Sequence, residues 1–308
     1  MNKSTAIEIT NLVKQFSGEK ALNDLSISVK QGELFGLIGP DGAGKTTLMR
    51  IICGLLLPAS GKVTCFNRNI LADSKPIKQM IGYMPQRFSL YPDLSVGENI
   101  NFFADLFRVP KSEKKKRFER LMKFSRLSPF VNRRAADLSG GMKQKLALSC
   151  TLIHAPEILI LDEPTTGVDP VSRQEFWQIL LDLKKQGVTI LVSTPYMDEA
   201  GLCDRVGFMF KGKLLAMDTP GKLPDLYPYH LLEVKCSDTI RMADYFKTLT
   251  IVKDAQIFGD RLHVVVTDTA PIRTELHSLK KNREIESSDE IKPGLEDVFV
   301  YMMEREHG

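Results

Sequence analysis

The chain of 308 residues is 43% apolar and 26% charged, which are the proportions of a globular protein long enough for two domains and exclude disordered, low-complexity and fibrous classes. Its 42 Lys and Arg against 38 Asp and Glu leave a formal charge of +4, too small to identify a nucleic-acid binder, and no direct nucleic-acid partner is expected. Cys53, Cys65, Cys150, Cys203 and Cys236 show no CxxC pair or metal-ligand spacing and are expected as thiols in a reducing compartment. The first residues carry no basic and apolar leader, and no run approaches the ~18 apolar residues of a membrane span. A cytosolic chain is expected, with any membrane role coming through a partner.

In chain order, Ile7 and Ile9, and then Leu25, Ile27 and Val29, alternate with polar residues, the period of half-buried strands, so the chain should open with antiparallel β structure. Residues 33–38 predict a buried strand, followed by a glycine-rich turn and a helix over about 45–56. That order is a nucleotide-binding α/β unit. A helical, charged insertion is expected over about 89–137, with the basic run 111–120 in its middle. Apolar strands at 158–162 and 188–193 flank a helix bearing Trp177 and predict a parallel sheet covered on both faces. Prolines and a glycine over 219–229 mark a boundary, giving domains 1–222 and 223–308. The second is predicted as a small α+β domain: strand 231–236, helix 240–249, a hairpin of 252–258 and 262–267 turning at Gly259-Asp260, helix 272–281, and a strand near Glu284. This is a split βαβ order. A tail helix from Leu295 places Leu295, Val298, Phe299 and Met302 on one face, with Glu296 and Asp297 at its start.

Residues 39–46, GPDGAGKT, match GxxxxGK[ST] between a predicted strand and a predicted helix. Phosphates need a backbone that wraps close and aims N–H groups at their oxygens. Gly39, Gly42 and Gly44 permit that wrapping, Pro40, Asp41 and Ala43 complete the loop, and the helix N-terminus adds its dipole. Lys45 is expected to neutralise the β and γ phosphates, and the Thr46 hydroxyl, with Thr47 beside it, to join a Mg²⁺ shell of oxygen ligands. The apolar run 158–162 ends in adjacent carboxylates: Asp162 is expected to hold the metal through water, and Glu163 to polarise the water attacking the γ-phosphate.

Residues 138–144, LSGGMKQ, lie between these two elements and resemble the signature sequence of ATP-binding cassette (ABC) proteins. Gln86 in YMPQ matches that family's Q-loop glutamine, 164–169 (PTTGVD, ending in Asp169) its D-loop, and Phe16 its adenine-stacking aromatic, so the resemblance covers about residues 5–220. It implies an α/β P-loop NTPase fold with antiparallel β and helical subdomains, ATP and Mg²⁺ as ligands with Gln86 also near the metal, and ATPase activity. Ser139, Gly140 and Gly141 are expected to open a helix and form a second anion site, used across a head-to-tail dimer. The wording GPDGAGKTT and STPYMDEA and the tail GLEDVF resemble ATPase subunits of bacterial drug, lipid or antibiotic exporters. That implies transmembrane permease subunits as partners, a second cassette as homo- or heterodimer partner, and a peripheral place on the cytoplasmic face of the membrane. The run 111–120 then either faces anionic headgroups or is a solvated helix face.

One position departs from the family. A histidine that contacts the γ-phosphate is expected after Ser193-Thr194, and Pro195 stands there with no side-chain donor and no N–H. Either the ATPase is slow or asymmetric, or Gln86 and Glu163 suffice. A soluble cassette acting without a membrane and a hydrolysis-impaired, nucleotide-gated partner are the competing functions. Asp41 is a smaller departure, tolerable if it points to solvent. The C-terminal unit carries no catalytic cluster and resembles an accessory or regulatory domain.

Overall fold

The computed structural model describes residues 4–87 and 90–307, without the side chains of Ser74 and His307. Residue 89, the expected start of the helical insertion, and the first three residues lie outside that description. Two compact units divide the chain, Met1–Pro220 and Gly221–Gly308.

The first unit opens with strands β1 (Thr5–Phe16) and β2 (Glu19–Lys30), paired antiparallel with Ile7 opposite Val29 and Ile9 opposite Ile27. The chain then enters a second sheet through β3 (Leu34–Ile38), crosses over as helix α1 (Lys45–Ile52), and returns to β1 with β4 (Ser60–Cys65) and the short β5 (Arg68–Asn69). Helix α1 ends four residues before the expected 56. Gly54 adopts a left-handed φ of 64°, its N–H donates to Ile51 O at 2.9 Å, and Leu55 N–H donates to Arg50 O at 2.9 Å. Those two bonds satisfy the last carbonyls and stop the helix.

There follow α2 (Ser74–Met80), β6 (Ile81–Met84), α3 (Val96–Leu106), α4 (Lys111–Phe124) and α5 (Gly140–Leu152), then β7 (Ile158–Asp162), α6 (Pro170–Lys185), β8 (Thr189–Thr194), α7 (Met197–Ala200), β9 (Arg205–Phe210) and β10 (Lys213–Asp218). The second sheet runs β10-β9-β3-β8-β7-β6, parallel from β9 to β6, with β10 antiparallel at the edge. Every residue of β3, β7 and β8 is buried, as the continuous apolar runs require. One core joins the two sheets around α1, from Ile7 and Leu25 to Leu48, Ile51 and Ile160.

Helix α3 starts with a capping box between Ser95 and Glu98. The fully buried Asn99 side chain accepts from Tyr91 N–H and donates to the carbonyls of Tyr91, Leu94 and Ser95, which fastens the entering loop. In α4 only Leu121 and Met122 are buried.

In the second unit, β11 (His230–Lys235), α8 (Thr239–Thr248), β12 (Val252–Phe258), β13 (Arg261–Val266), α9 (Arg273–Lys281) and β14 (Ser287–Ile291) form an antiparallel sheet ordered β12-β13-β11-β14, followed by α10 (Leu295–His307). This is the split βαβ order. The last strand begins three residues beyond the expected Glu284, because Arg283 takes φ 61° and Glu284 N–H turns back to Leu279 O at 2.9 Å to close α9. Helices α8 and α9 bury Met242, Phe246, Leu276 and Leu279 against Val234, Leu262 and Val264. Asp297, in the first turn of α10 as expected, is buried, 2.7 Å from His263 Nδ1, and accepts from Gly294 N–H at 2.7 Å.

Glu33, just before β3, is 5% exposed and pairs with Arg205 at the start of β9 at 2.6 Å, while Arg205 also donates to Ser28 O of β2 at 2.6 Å. This guanidinium ties the two sheets together. Removing it strands a buried carboxylate, so Arg205→Met should lower stability by about 3–5 kcal/mol, read as a lower urea midpoint at unchanged slope.

Candidate active site

The loop 39–44 leaves the C-terminal end of β3 and turns into α1. At Gly39 a Cβ would lie 2.2 Å from Met209 O, and at Gly44, where φ is 103°, 2.4 Å from Ala21 O, so only glycine lets the loop seat on β9 and β2. Asp41 is exposed, as its carboxylate beside a phosphate loop requires, and Thr46 and Thr47 are half-buried in the first turn of α1. The Lys45 ammonium folds back under the loop. Its Nζ donates to Gly39 O at 2.7 Å and Pro40 O at 3.1 Å, and pairs with Glu163 Oε1 at 3.1 Å.

Glu163 follows the end of β7 with a left-handed φ of 48°, a conformation rarely held by a residue with a side chain and often found at functional positions. Its second oxygen accepts from Gln86 Nε2 at 3.0 Å and from Thr166 Oγ1 at 3.4 Å, and its N–H donates to Ser193 Oγ at 3.0 Å. The Ser193 hydroxyl in turn donates to Asp162 Oδ1 at 2.9 Å. Lys45, Gln86, Asp162 and Glu163, picked from separate parts of the sequence, therefore meet in one cluster at the C-terminal ends of the parallel strands. Burial, reinforced by the Asp162 charge, pushes the Tyr83 phenol up to about 12 and keeps it neutral beside that acid.

The other Asp162 oxygen, Oδ2, is buried without a hydrogen-bond partner. A carboxylate oxygen left bare in a protein interior is costly, and a hard divalent cation or its water is a group that would satisfy it. An oxygen donor of this kind, with the Thr46 hydroxyl of the first turn of α1 as a second, suits magnesium.

Phe16 at the end of β1 is 46% exposed, with Lys14 Nζ 4.9 Å from its ring centroid. Ser139 caps α5, accepting from Met142 N–H at 3.3 Å, and it and Gly140 are exposed. Gly141 is buried, and a Cβ there would lie 2.4 Å from Ser172 Oγ. Its bareness therefore serves the contact of α5 with α6, whatever it also does for an anion.

A family model described as ABC transporter matches residues 22–166, a stretch holding the phosphate loop, Gln86, the SGG turn and both acids. Nod factor export ATP-binding protein I of Rhizobium etli is 34% identical over 98% of this chain and 94% of its own length. The chain belongs to the ABC transporter family of ATP-binding proteins. The probable multidrug ABC transporter ATP-binding protein YbhF of Escherichia coli is 47% identical over 70% of this chain, which spans 38% of YbhF's length. Among solved structures, the ATP-binding cassette MJ0796, described as dimeric in a post-hydrolysis state with ADP and phosphate, aligns with TM-score 0.62 and 27% identity over 69% of this chain and 98% of its own.

Within this ABC domain the Asp169 carboxylate caps α6, accepting from Ser172 N–H at 2.9 Å, and that bond holds it below the usual carboxylate range. Pro195 follows β8 and is exposed. Several residues of the site escaped sequence reasoning. Ser193 links both acids to β8, and the buried Glu199 accepts from Thr165 Oγ1 at 2.8 Å, from Arg173 Nε at 3.0 Å and from Thr194 Oγ1. A glutamate followed by alanine on a four-residue helix gave no warning of burial, because its partners come from three separate segments. The Arg173 guanidinium also lies 3.8 Å from the Tyr196 ring centroid, beside Pro195. No helix among the described residues is long and apolar enough to cross a membrane, and no three or more of their His, Cys, Asp and Glu side chains form a metal-sized group.

If Gly141 is bare for packing, Gly141→Ala should cost about 1–3 kcal/mol of thermal stability, and Ser172→Gly in the same chain should recover most of it. A loss of nucleotide-driven dimerisation that Ser172→Gly leaves uncorrected would instead assign Gly141 to anion contact.

Proposed function

We propose that this chain is the ATP-hydrolysing subunit of an exporter, acting as a dimer on the cytoplasmic face of the membrane and driving separate transmembrane permease subunits. The observation that carries the reading is the Lys45–Glu163–Gln86 cluster beside an unpartnered Asp162 oxygen. The export name of the Nod factor relative, the multidrug transporter name of YbhF and the dimeric state of the MJ0796 cassette support the coupling and the partner.

In this reading the γ-phosphate draws the Lys45 ammonium away from the Gly39 and Pro40 carbonyls and from Glu163, since a phosphate carries more charge than either partner. Glu163 Oε1 is then free to accept a proton from the attacking water, with Gln86 Nε2 holding its other oxygen in place. Thr46, Asp162 and the Gln86 amide oxygen are the groups that would hold magnesium, which when bound neutralises charge on the phosphate oxygens. The exposed Phe16 ring would stack on the base. Ser139 and Gly140, exposed at the start of α5, would close on the phosphate of the partner cassette, with the helix dipole and free N–H groups as the attraction. The C-terminal unit is read as an accessory domain.

Glu163→Gln is expected to keep ATP binding, lower turnover by about 10²–10⁴-fold and accumulate an ATP-bound dimer, measured by phosphate release and gel filtration. Unchanged turnover would contradict the role given to Glu163.

A second reading is favoured by Pro195 alone: a slow or nucleotide-gated cassette lacking one γ-phosphate donor. Pro195→His should then raise turnover, by up to about 10²-fold for one restored donor. No gain, with the chain alone or with its natural partners, would remove that reading.

A further inference from the structure

We infer that the first unit carries a second ligand site, for a free single-chain anionic amphiphile of the fatty-acid type. It lies at the opposite ends of the strands from the ATP site. A cavity of about 430 Å³ opens between α4 and the ends of α5 and α6. Its walls are apolar: Leu121 and Phe124 of α4, Leu152 of α5, Leu183 of α6, and Val188. Pro156 and Val188 precede β7 and β8, whereas Glu163 and Pro195 follow them, so strands of five and six residues, about 17 Å or more, separate this cavity from the phosphate loop.

The polar groups of the cavity are Arg117, Arg120 and Gln186. Arg117 is already engaged, by Glu113 at 3.7 Å and Ile153 O at 3.3 Å. Arg120 is different. Its guanidinium is exposed and donates to the Gln186 side-chain oxygen, a neutral acceptor that leaves its charge uncompensated. Helix α4 carries seven Lys and Arg against two Glu, so the field at the mouth is positive. Water gains little from apolar walls, and an anionic head alone would leave them wet. An alkyl chain in the cavity with a carboxylate at Arg120 satisfies both parts. A concave lining drawn from α4, α5 and α6 suits one chain better than the face of a bilayer.

The test is displacement of a dansyl-labelled undecanoate from the full-length chain by cis-9-octadecenoate and, separately, by the matching alcohol. Saturable one-to-one displacement is expected, with the alcohol at least about tenfold weaker. Arg120→Glu and Gln186→Glu, both at exposed positions, should weaken octadecenoate by at least about tenfold, the second by giving Arg120 a competing carboxylate, while ATP binding is unchanged. Gln186→Glu should leave the alcohol's affinity as it is. Equal affinity for acid and alcohol, insensitivity to Arg120→Glu, or no saturable displacement below the aggregation limit of the acid would each overturn the proposal. Cosedimentation with phosphatidylglycerol vesicles that requires Arg120, without binding of the free acid, would assign the basic mouth to a membrane surface and overturn it as well.

Discussion

The ion pair between Lys45 and Glu163 holds the site in its present form. Lys45 opens α1 beyond the loop that follows β3, Glu163 follows β7, and β8 lies between those two strands, so the pair reaches across a neighbouring strand. Ser193 of β8, in register with Leu37 on one side and Asp162 on the other, fills the gap by taking the Glu163 N–H and donating to Asp162. With 4% and 8% of the two side chains exposed, neither charge has water to fall back on, and each is the other's counter-charge.

The segments around that pair are tied by groups that share acceptors. Glu199 gathers Thr165, Thr194 and Arg173, so the turn after β7, the end of β8 and the start of α6 all lean on one buried carboxylate. Tyr196 sits against the Arg173 guanidinium, which steadies the chain next to Pro195. The close approach of Gly141 to Ser172 carries the same rigidity into α5. The loops around the cluster are held here by side chains from outside those loops.

The second unit solves a different problem. A four-stranded antiparallel sheet has two faces, and α8 and α9 cover only one. Helix α10 contributes Val298 and Phe299 as buried residues, and the buried Asp297 meets His263 of β13. Tyr227, Tyr229 and Tyr301 pack edge to face at 5.5–6.0 Å, so the polar second face is closed by aromatic contacts as well as by aliphatic ones.

Much of the architecture was readable before any coordinates. Alternation gave β1 and β2, continuous apolar runs gave β3, β7 and β8, and the loop GPDGAGKT with its following helix stood where a strand-to-helix turn must be. These are local signals, carried by spacing within one segment. What failed locally were the ends: Gly54 stopped α1 early, and Arg283 delayed β14. The acids and the lysine could be picked out by type, because a phosphate site needs a cation, a metal-holding carboxylate and a base, whereas Gln86 came only from its resemblance to the family's Q-loop. Their convergence, the help of Ser193, the burial of Glu199 and the packing duty of Gly141 belong to the folded chain alone. Each joins segments tens of residues apart in sequence: the strand order β3-β8-β7-β6 brings together the ends that carry Lys45, Ser193, Glu163 and Gln86, and the packing of α5 on α6 brings Gly141 to Ser172.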